Sequence, residues 1–253
     1  MVALTLGVQA DEMPRFEASF QTTYTGTHPD LFAQQQDRVR LLLHQAQLEI
    51  SSQLGLLSYR QGFRCPLTVR FDDTPRPGVE NALAYVQMVP TVHGVGQELV
   101  VNLDVMTTST IDFDKVFYHE MTHAVLNDSV ILAYQKPLPS WVQEGLAVYI
   151  AGDGDERVKF LAHQVRRSQA HLLVRDLTVP VLDYPRDYLA FKYMVTKQSI
   201  NTLQAFVRDL TQGKTPEEAV EDSTGLSWEA YRQALQAFSL AEYEDNARPD
   251  LGQ

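Results

Sequence analysis

"VFYHEMTHAV", Val116–Val125, decides how this chain is read. Phe113, Phe117, Met121 and Ala124 recur at three- and four-residue spacing, which predicts an amphipathic helix with that stripe on a core. Positions four apart lie on one helix face. His119 and His123 are four apart in a chain with only seven histidines, so one face aims two imidazoles at one point. Glu120 lies about 100° further around, near the edge of that point without joining it. The plain alternative is a helix that happens to carry two histidines on one side. A third converging group decides between the two.

Working outward, "PSWVQEGLAVYIAG", Pro139–Gly152, supplies a candidate. Ser140 and Gln143 are spaced as a capping box, which starts a helix at Ser140 and puts Glu144 in its first turn. Trp141, Val142, Leu146, Ala147, Val148 and Ile150 make that helix apolar on most faces, hence largely buried. The other reading of Glu144 is a solvent-facing glutamate. A lone buried carboxylate, however, is costly unless it is paired or holds a metal. Gly145 leaves room for close backbone approach, at a helix-propensity cost of about 1 kcal/mol. Asn127–Pro139, with two prolines near its end, lets the chain turn back. Two imidazoles, one carboxylate and one open position are the donor set of a catalytic zinc. The expectation is one Zn2+ per chain on His119, His123 and Glu144, with water in the fourth position.

The remaining sequence is ordinary for a globular chain. It has 253 residues, 44% of them hydrophobic and 21% charged, enough for one large domain or two small ones. A net charge of −11 argues against nucleic acid or an anionic membrane as the main partner. Cys65 is the only cysteine, so an intrachain disulfide and a Cys-based zinc ribbon are both excluded. It reads as a small buried residue. No apolar run is long enough to span a membrane. "MVALTLGVQADE" alternates like a strand, and Val-Gln-Ala before Asp11 also resembles a signal-peptidase site. The positive n-region is missing. A soluble chain without a complete signal peptide is expected, with export of a trimmed form open.

Before the histidine helix the chain reads as strands and one long helix. "RFEASFQTTYTG" (residues 15–26) has strand character, and Asp30–Leu54 is an amphipathic helix stopped by Gly55. Leu67–Phe71 is a strand, then "DDTPRPG" a loop. "NALAYVQMV" and "QELVVNLDV" look paired across "PTVHGVG", where His93 reads as a solvated loop residue. "STID" (109–112) suggests a capping box before the histidine helix. "AGDGDERV" (151–158) hints at calcium but lacks the rest of an EF-hand loop and reads as a flexible turn. His163 and His171 read as surface residues and Tyr149 as core. A short helix lies between Pro216 and Gly225, flanked by amphipathic helices, and "DNARPDLGQ" reads as a frayed tail. No nucleophile elbow and no phosphate loop occur.

H-E-x-x-H followed by W-x-x-E-G-x-A resembles the gluzincin metallopeptidases, the thermolysin-like and aminopeptidase-like clan. "PSWVQEGLAVY" is most similar to small bacterial peptidase-MA-like domains. "YPRDYLAFKYM" (Tyr184–Met194) is similar to the family's Tyr-led helix, and the C-terminal amphipathic segments to the helices that close such domains. The likeness covers roughly residues 97–243. Asp187 departs from it, since the family tends to have a small residue there.

The resemblance implies an α+β, gluzincin-like fold. Residues 1–108 would form an N-terminal mixed or antiparallel sheet with a long helix. Residues 109–253 would be the helical zinc-binding part of the same catalytic domain. It implies a zinc metallopeptidase acting on a peptide or protein, with a zinc-activated water and Glu120 as general base. It further implies that "QELVVNLDV" is the sheet edge that pairs with an extended peptide. Tyr184 stands in the place of the family's leading Tyr. It lies downstream of Glu144 and just before Pro185, at a helix start, where it would stabilise the oxyanion. Tyr188 is the second candidate, and both rings can also be read as packing. The alternative function is a catalytically silent binding or scaffold protein that keeps the zinc site. Endo- or exo-cleavage, activation and oligomeric state are not fixed by these residues.

Overall fold

The computed structural model describes Tyr24 and residues 29–56, 65–72, 82–92, 94–131 and 138–250. The expected strands at residues 2–8 and 15–26, the loop after Asp72, and His93 lie outside them, apart from Tyr24. The fold is α+β, mostly helical around a small three-stranded sheet.

Helix α1 spans Pro29–Gln53 and buries Val39, Leu42, Leu43, Ala46 and Ile50. Gly55, at φ +71°, ends it, and the Gln204 amide donates to the carbonyls of Ser52 and Gln53. Strands β1 (Leu67–Asp72), β2 (Ala84–Thr91) and β3 (Gly94–Asn102) form the sheet in the order β1-β3-β2. β1 pairs with β3 in parallel, and β2 pairs with β3 antiparallel. The sheet is therefore mixed. β3 is its centre, and its Leu99, Val100 and Val101 are buried on both faces. The peptide-binding edge expected at "QELVVNLDV" is corrected accordingly. Both sides of that strand are taken, and β2 is the free antiparallel edge among the described residues. The correction comes from β1, a long-range partner that local alternation does not reveal. The strand also stops early, because the Asn102 side chain accepts from Val105 N–H and caps α2 (Leu103–Thr108).

Helix α3 spans Phe113–Leu126 and buries Phe113, Phe117, Met121 and Ala124. Its N-cap is Asp112, whose carboxylate accepts from Asp114 N–H, so "STID" is no capping box; the Ser109 hydroxyl serves Ile111 N–H instead. A π-helical turn, Asn127–Ile131, follows. Helix α4 is Ser140–Ala151, which starts where expected but without a Ser140 cap. Pro139 occupies the cap position, and the Gln143 amide donates back to the Leu138 carbonyl at 2.6 Å.

The "flexible turn" at 151–158 is corrected too. Only Gly152 and Asp153 turn, with Gly152 at φ +71°, and α5 then runs Gly154–Ala162. A 3₁₀ stretch, Arg167–Leu173, and a loop over 174–183 lead to α6 (Tyr184–Lys197). Helices α7 (Ile200–Thr211), α8 (Pro216–Thr224) and α9 (Trp228–Asn246) close the fold. Trp141, Phe191, Phe206 and Trp228 stack where α4, α6, α7 and α9 meet. The tail is not frayed as far as Asp250. Arg167 N–H donates to the Arg248 carbonyl at 2.9 Å, Arg248 N–H to Val165, and the Ser168 hydroxyl to Asp250. One core cluster joins α1, the sheet and the helices. No described helix is long and apolar enough to cross a membrane.

Candidate metal centre

α3 lies between the sheet and α4. Its buried stripe faces the core, and the residues one step around, His119, Glu120 and His123, stand beside that stripe, with Glu120 reaching Val86 of β2. α4 returns over them and places Glu144 in its own first turn. Gly145 makes that approach possible. A Cβ there would stand 2.3 Å from the Asp187 carbonyl oxygen and 2.7 Å from the Phe191 ring, so α4 and α6 touch through backbone.

The three expected ligands converge. His119 Nε2 and His123 Nε2 are 3.1 Å apart. Glu144 Oε2 is 3.2 Å from the first and 3.5 Å from the second. A tetrahedral ion with bonds of about 2.0–2.1 Å needs ligand atoms roughly 3.3–3.4 Å apart, so the triangle has the size for zinc. The chemistry of the set agrees. Glu144 Oε2 is buried and accepts no well-formed hydrogen bond among the described residues, despite two imidazole nitrogens so near. The two nitrogens and the oxygen crowd one small space. His119, His123 and Glu144 form the only such group among the described residues.

The electrostatics are those of donors crowded together. Burial opposes ionisation of Glu144, but the two imidazoles outweigh it and hold its carboxyl at about 2. Burial would lower the His123 imidazole, yet contact with Glu144 and the charge of Glu120 raise it above the ordinary histidine value. Proton and metal compete for these lone pairs.

Glu120 stands beside the triangle, not in it. Its Oε2 accepts from Val86 N–H of β2 at 3.0 Å. Burial raises its carboxyl above the usual range, partly countered by both imidazoles and that N–H. That donor belongs to β2, the strand at the edge of the sheet.

Tyr184 is the first residue of α6, with Asp183 as N-cap and Pro185 just inside. Its ring centroid is 6.1 Å from that of His119. Its hydroxyl has a pKa raised chiefly by burial and secondarily by Glu144. Tyr188 is elsewhere. Its hydroxyl donates to Asp155 at 2.9 Å, and its ring lies against Gly154, where a Cβ would come within 2.2 Å. Of the two candidates, only Tyr184 borders the ligands. His163 and His171 donate locally through Nδ1–H, to the Lys159 and Ser168 carbonyls, on the exposed surface.

Three participants escape the sequence reading. The Arg157 guanidinium lies 4.9 Å above the Tyr184 ring, anchored on Asp153 at 2.6 Å. The Asp153/Arg157 spacing of four residues was the available signal. Val86 contributes a backbone N–H and offers none. Arg186, nearly fully buried, explains Asp187. The guanidinium binds that carboxylate through Nε at 2.7 Å and also donates to the carbonyls of Asp176, Val179 and Val181. A small residue at 187 would leave this cation unmatched.

Residues 84–241, well over half of the chain, match the family model of the Peptidase MA superfamily, and the chain belongs to that superfamily. No curated protein matches it.

Proposed function

We propose that the protein is a zinc-dependent peptidase of gluzincin type, with an extended peptide laid along the β2 edge. The observation that carries the proposal is the convergence of His119 Nε2, His123 Nε2 and Glu144 Oε2 within 3.1–3.5 Å, with Glu120 alongside. These three residues would hold the ion. When bound, zinc supplies Lewis acidity, acidifying a water and polarising a carbonyl.

The chain's own groups do the rest. Glu120, raised by burial and oriented by Val86 N–H, takes the proton of the attacking water and hands it to the leaving amine. The Tyr184 hydroxyl, kept protonated by its raised pKa, donates to the carbonyl oxygen as it gains charge. Apart from the Val86 N–H, which Glu120 already takes, the β2 edge offers main-chain pairing to an extended substrate, as in strand addition generally. The acidic chain is suited to peptide, not nucleic acid.

The test is elemental analysis beside turnover of a quenched peptide library. One zinc per chain and chelator-sensitive cleavage are expected, with zinc lost in His123→Ala. Glu120→Gln should keep zinc but lose about 10²–10⁴ in rate. Stoichiometric zinc in His123→Ala sinks the ligand assignment. Zinc without cleavage by the wild type leaves the silent scaffold.

A further inference from the structure

Tyr184 opens α6, so no helical turn precedes it. The preceding turn is what closes side-chain wells to residues further along a helix. The Tyr184 ring is therefore not fixed by its own helix. Beside it lies a cavity of about 620 Å³, lined by Tyr184 itself together with Asp153 and Arg157. None of His119, Glu120, His123 or Glu144 lines that cavity. The ring stands between the cavity and the ligands, and the cavity has room for a phenol ring. A ring turned into it would take the hydroxyl away from the triangle.

Arg157 opposes that turn. Its guanidinium lies 4.9 Å from the centroid of the Tyr184 ring, while the His119 ring lies 6.1 Å away at 68° to it. Local structure places the cation. Gly154 lets α5 close on α6, since a Cβ there would stand 2.2 Å from the Tyr188 ring. Arg157 is about one turn along α5 from Gly154, and Tyr184 about one turn back along α6 from Tyr188. Asp153 then fixes the guanidinium, taking Nε at 2.7 Å and Nη2 at 2.6 Å on one oxygen. An acid paired four residues along a helix is ordinary. This one forgoes another bond to make the pair. Asp153 sits at the N-cap of α5, where an Asp normally accepts from the first free N–H groups, and it makes no such bond. Its other oxygen is buried and has no hydrogen-bond partner among the described residues. The carboxylate is committed to Arg157.

We propose that Arg157, anchored by Asp153, is a positioning residue that holds the Tyr184 ring out of the cavity and beside the ligand triangle. That the held hydroxyl serves a carbonyl rests on the peptidase reading. The placement of the ring does not.

The experiment uses full-length, zinc-loaded protein with isotope-labelled tyrosine, as wild type and as Arg157→Met, Asp153→Asn, Tyr184→Phe and Arg157→Met/Tyr184→Phe. The Tyr184 ring resonance is identified by its absence in Tyr184→Phe. It should move and narrow in Asp153→Asn, which keeps the cation but frees it, and more so in Arg157→Met. Turnover of one peptide cleaved from the quenched library is read on the same proteins. Arg157→Met should lose about 10–100-fold in kcat with KM and zinc content unchanged, the cost of a misplaced catalytic group. On the Tyr184→Phe background the same substitution should cost no more than about twofold, because the group it positions is gone. A Tyr184 resonance unmoved in both variants overturns the proposal. So does an equal kcat loss on the two backgrounds, which would be a general effect on the fold. A raised KM with kcat kept also overturns it, since Arg157 would then be a substrate contact. Moved resonances with a wild type that cleaves nothing keep the placement and remove the peptidase reading; cleavage with unmoved resonances does the reverse.

Discussion

On one side of the cleft, α3 and α4 present His119, His123 and Glu144 from helices whose inner faces are fully buried. Phe117, Met121, Val142 and Leu146 have no exposed surface, and Gly145 brings α6 into backbone contact. On the other side, Tyr184 stands at the end of a loop with little apolar anchorage. Leu177 is buried, but Val179, Val181 and Leu182 face water. This wall is held instead by two ionised groups. Arg186 gathers the carbonyls of Asp176, Val179 and Val181, and the Asp176 carboxylate collects Arg232, Gln236 and Thr178 N–H. The ligand wall rests on burial, which is indifferent to pH. The donor wall rests on charge-assisted bonds, which are not. Metal binding and turnover should therefore be separable by mutation.

Arg186→Met attacks the donor wall hardest. It leaves the Asp187 carboxylate buried without its cation, and burial already pushes that group up to about 6. Removing one partner of such a pair costs about 3–5 kcal/mol. Denaturant unfolding should show that loss, while the folded fraction still binds zinc. A matching loss of zinc affinity would mean the two walls are one unit. The double variant Arg186→Met/Asp187→Leu should recover part of the stability, since the orphaned charge is gone.

Next in size is the donor itself. Tyr184→Phe should keep fold and zinc and lose about 10²–10³ in kcat, the usual cost of one such donor. Tyr188→Phe, which only unties Asp155, should do much less to kcat. The reverse ranking would move the role to Tyr188 despite its distance from the ligands.

Gly145→Ala probes the ligand wall. A helix normally gains about 1 kcal/mol from this exchange. Here the added methyl meets the Asp187 carbonyl, so α4 and α6 must part, and overpacking of this kind costs about 1–3 kcal/mol. Thermal unfolding should shift down. An upward shift would show that the two helices slide freely, and the ligand wall would not be the rigid one.

The same contrast explains what the sequence disclosed. Ligands four apart on a helix, a carboxylate on an otherwise apolar helix, and a glycine beside it are local patterns, and each was legible from residue spacing. Elements set by distant partners were not. β3 is central only because β1 returns from about 30 residues upstream to pair with it, register Leu67↔Gln97. Residues 247–250 are ordered only because Val165 to Ser168 receive them. α5 was hidden behind glycines and acids that read as a turn, although Asp155 and Glu156 are the acids a helix start favours. The two expected capping boxes failed because Ser109 and Ser140 had competitors, Asp112 and Pro139, one to three residues away.

The smallest effect is the most diagnostic for the donor wall. Asp176 is held down to about 2; burial opposes this, and Arg232, with Thr178, outweighs it. Its ordinary value is 3.8, so the folded pKa is depressed. Such a group stabilises the fold above its unfolded pKa and loses that contribution as pH falls through the folded one. The wild type should therefore exceed Asp176→Asn by about 1 kcal/mol between pH 5 and 7, the scale of hydrogen bonds to a partly solvated charge. That margin should shrink from about pH 4 downward and be nearly gone near pH 2. Urea unfolding of both proteins at several pH values measures it. Zinc affinity at pH 7 should be equal in the two, because Asp176 bonds only to the donor-wall loop, α6 and α9. A margin that does not move with pH would mean the loop is held by shape and not by this charge, and the contrast between the walls would lose its electrostatic half.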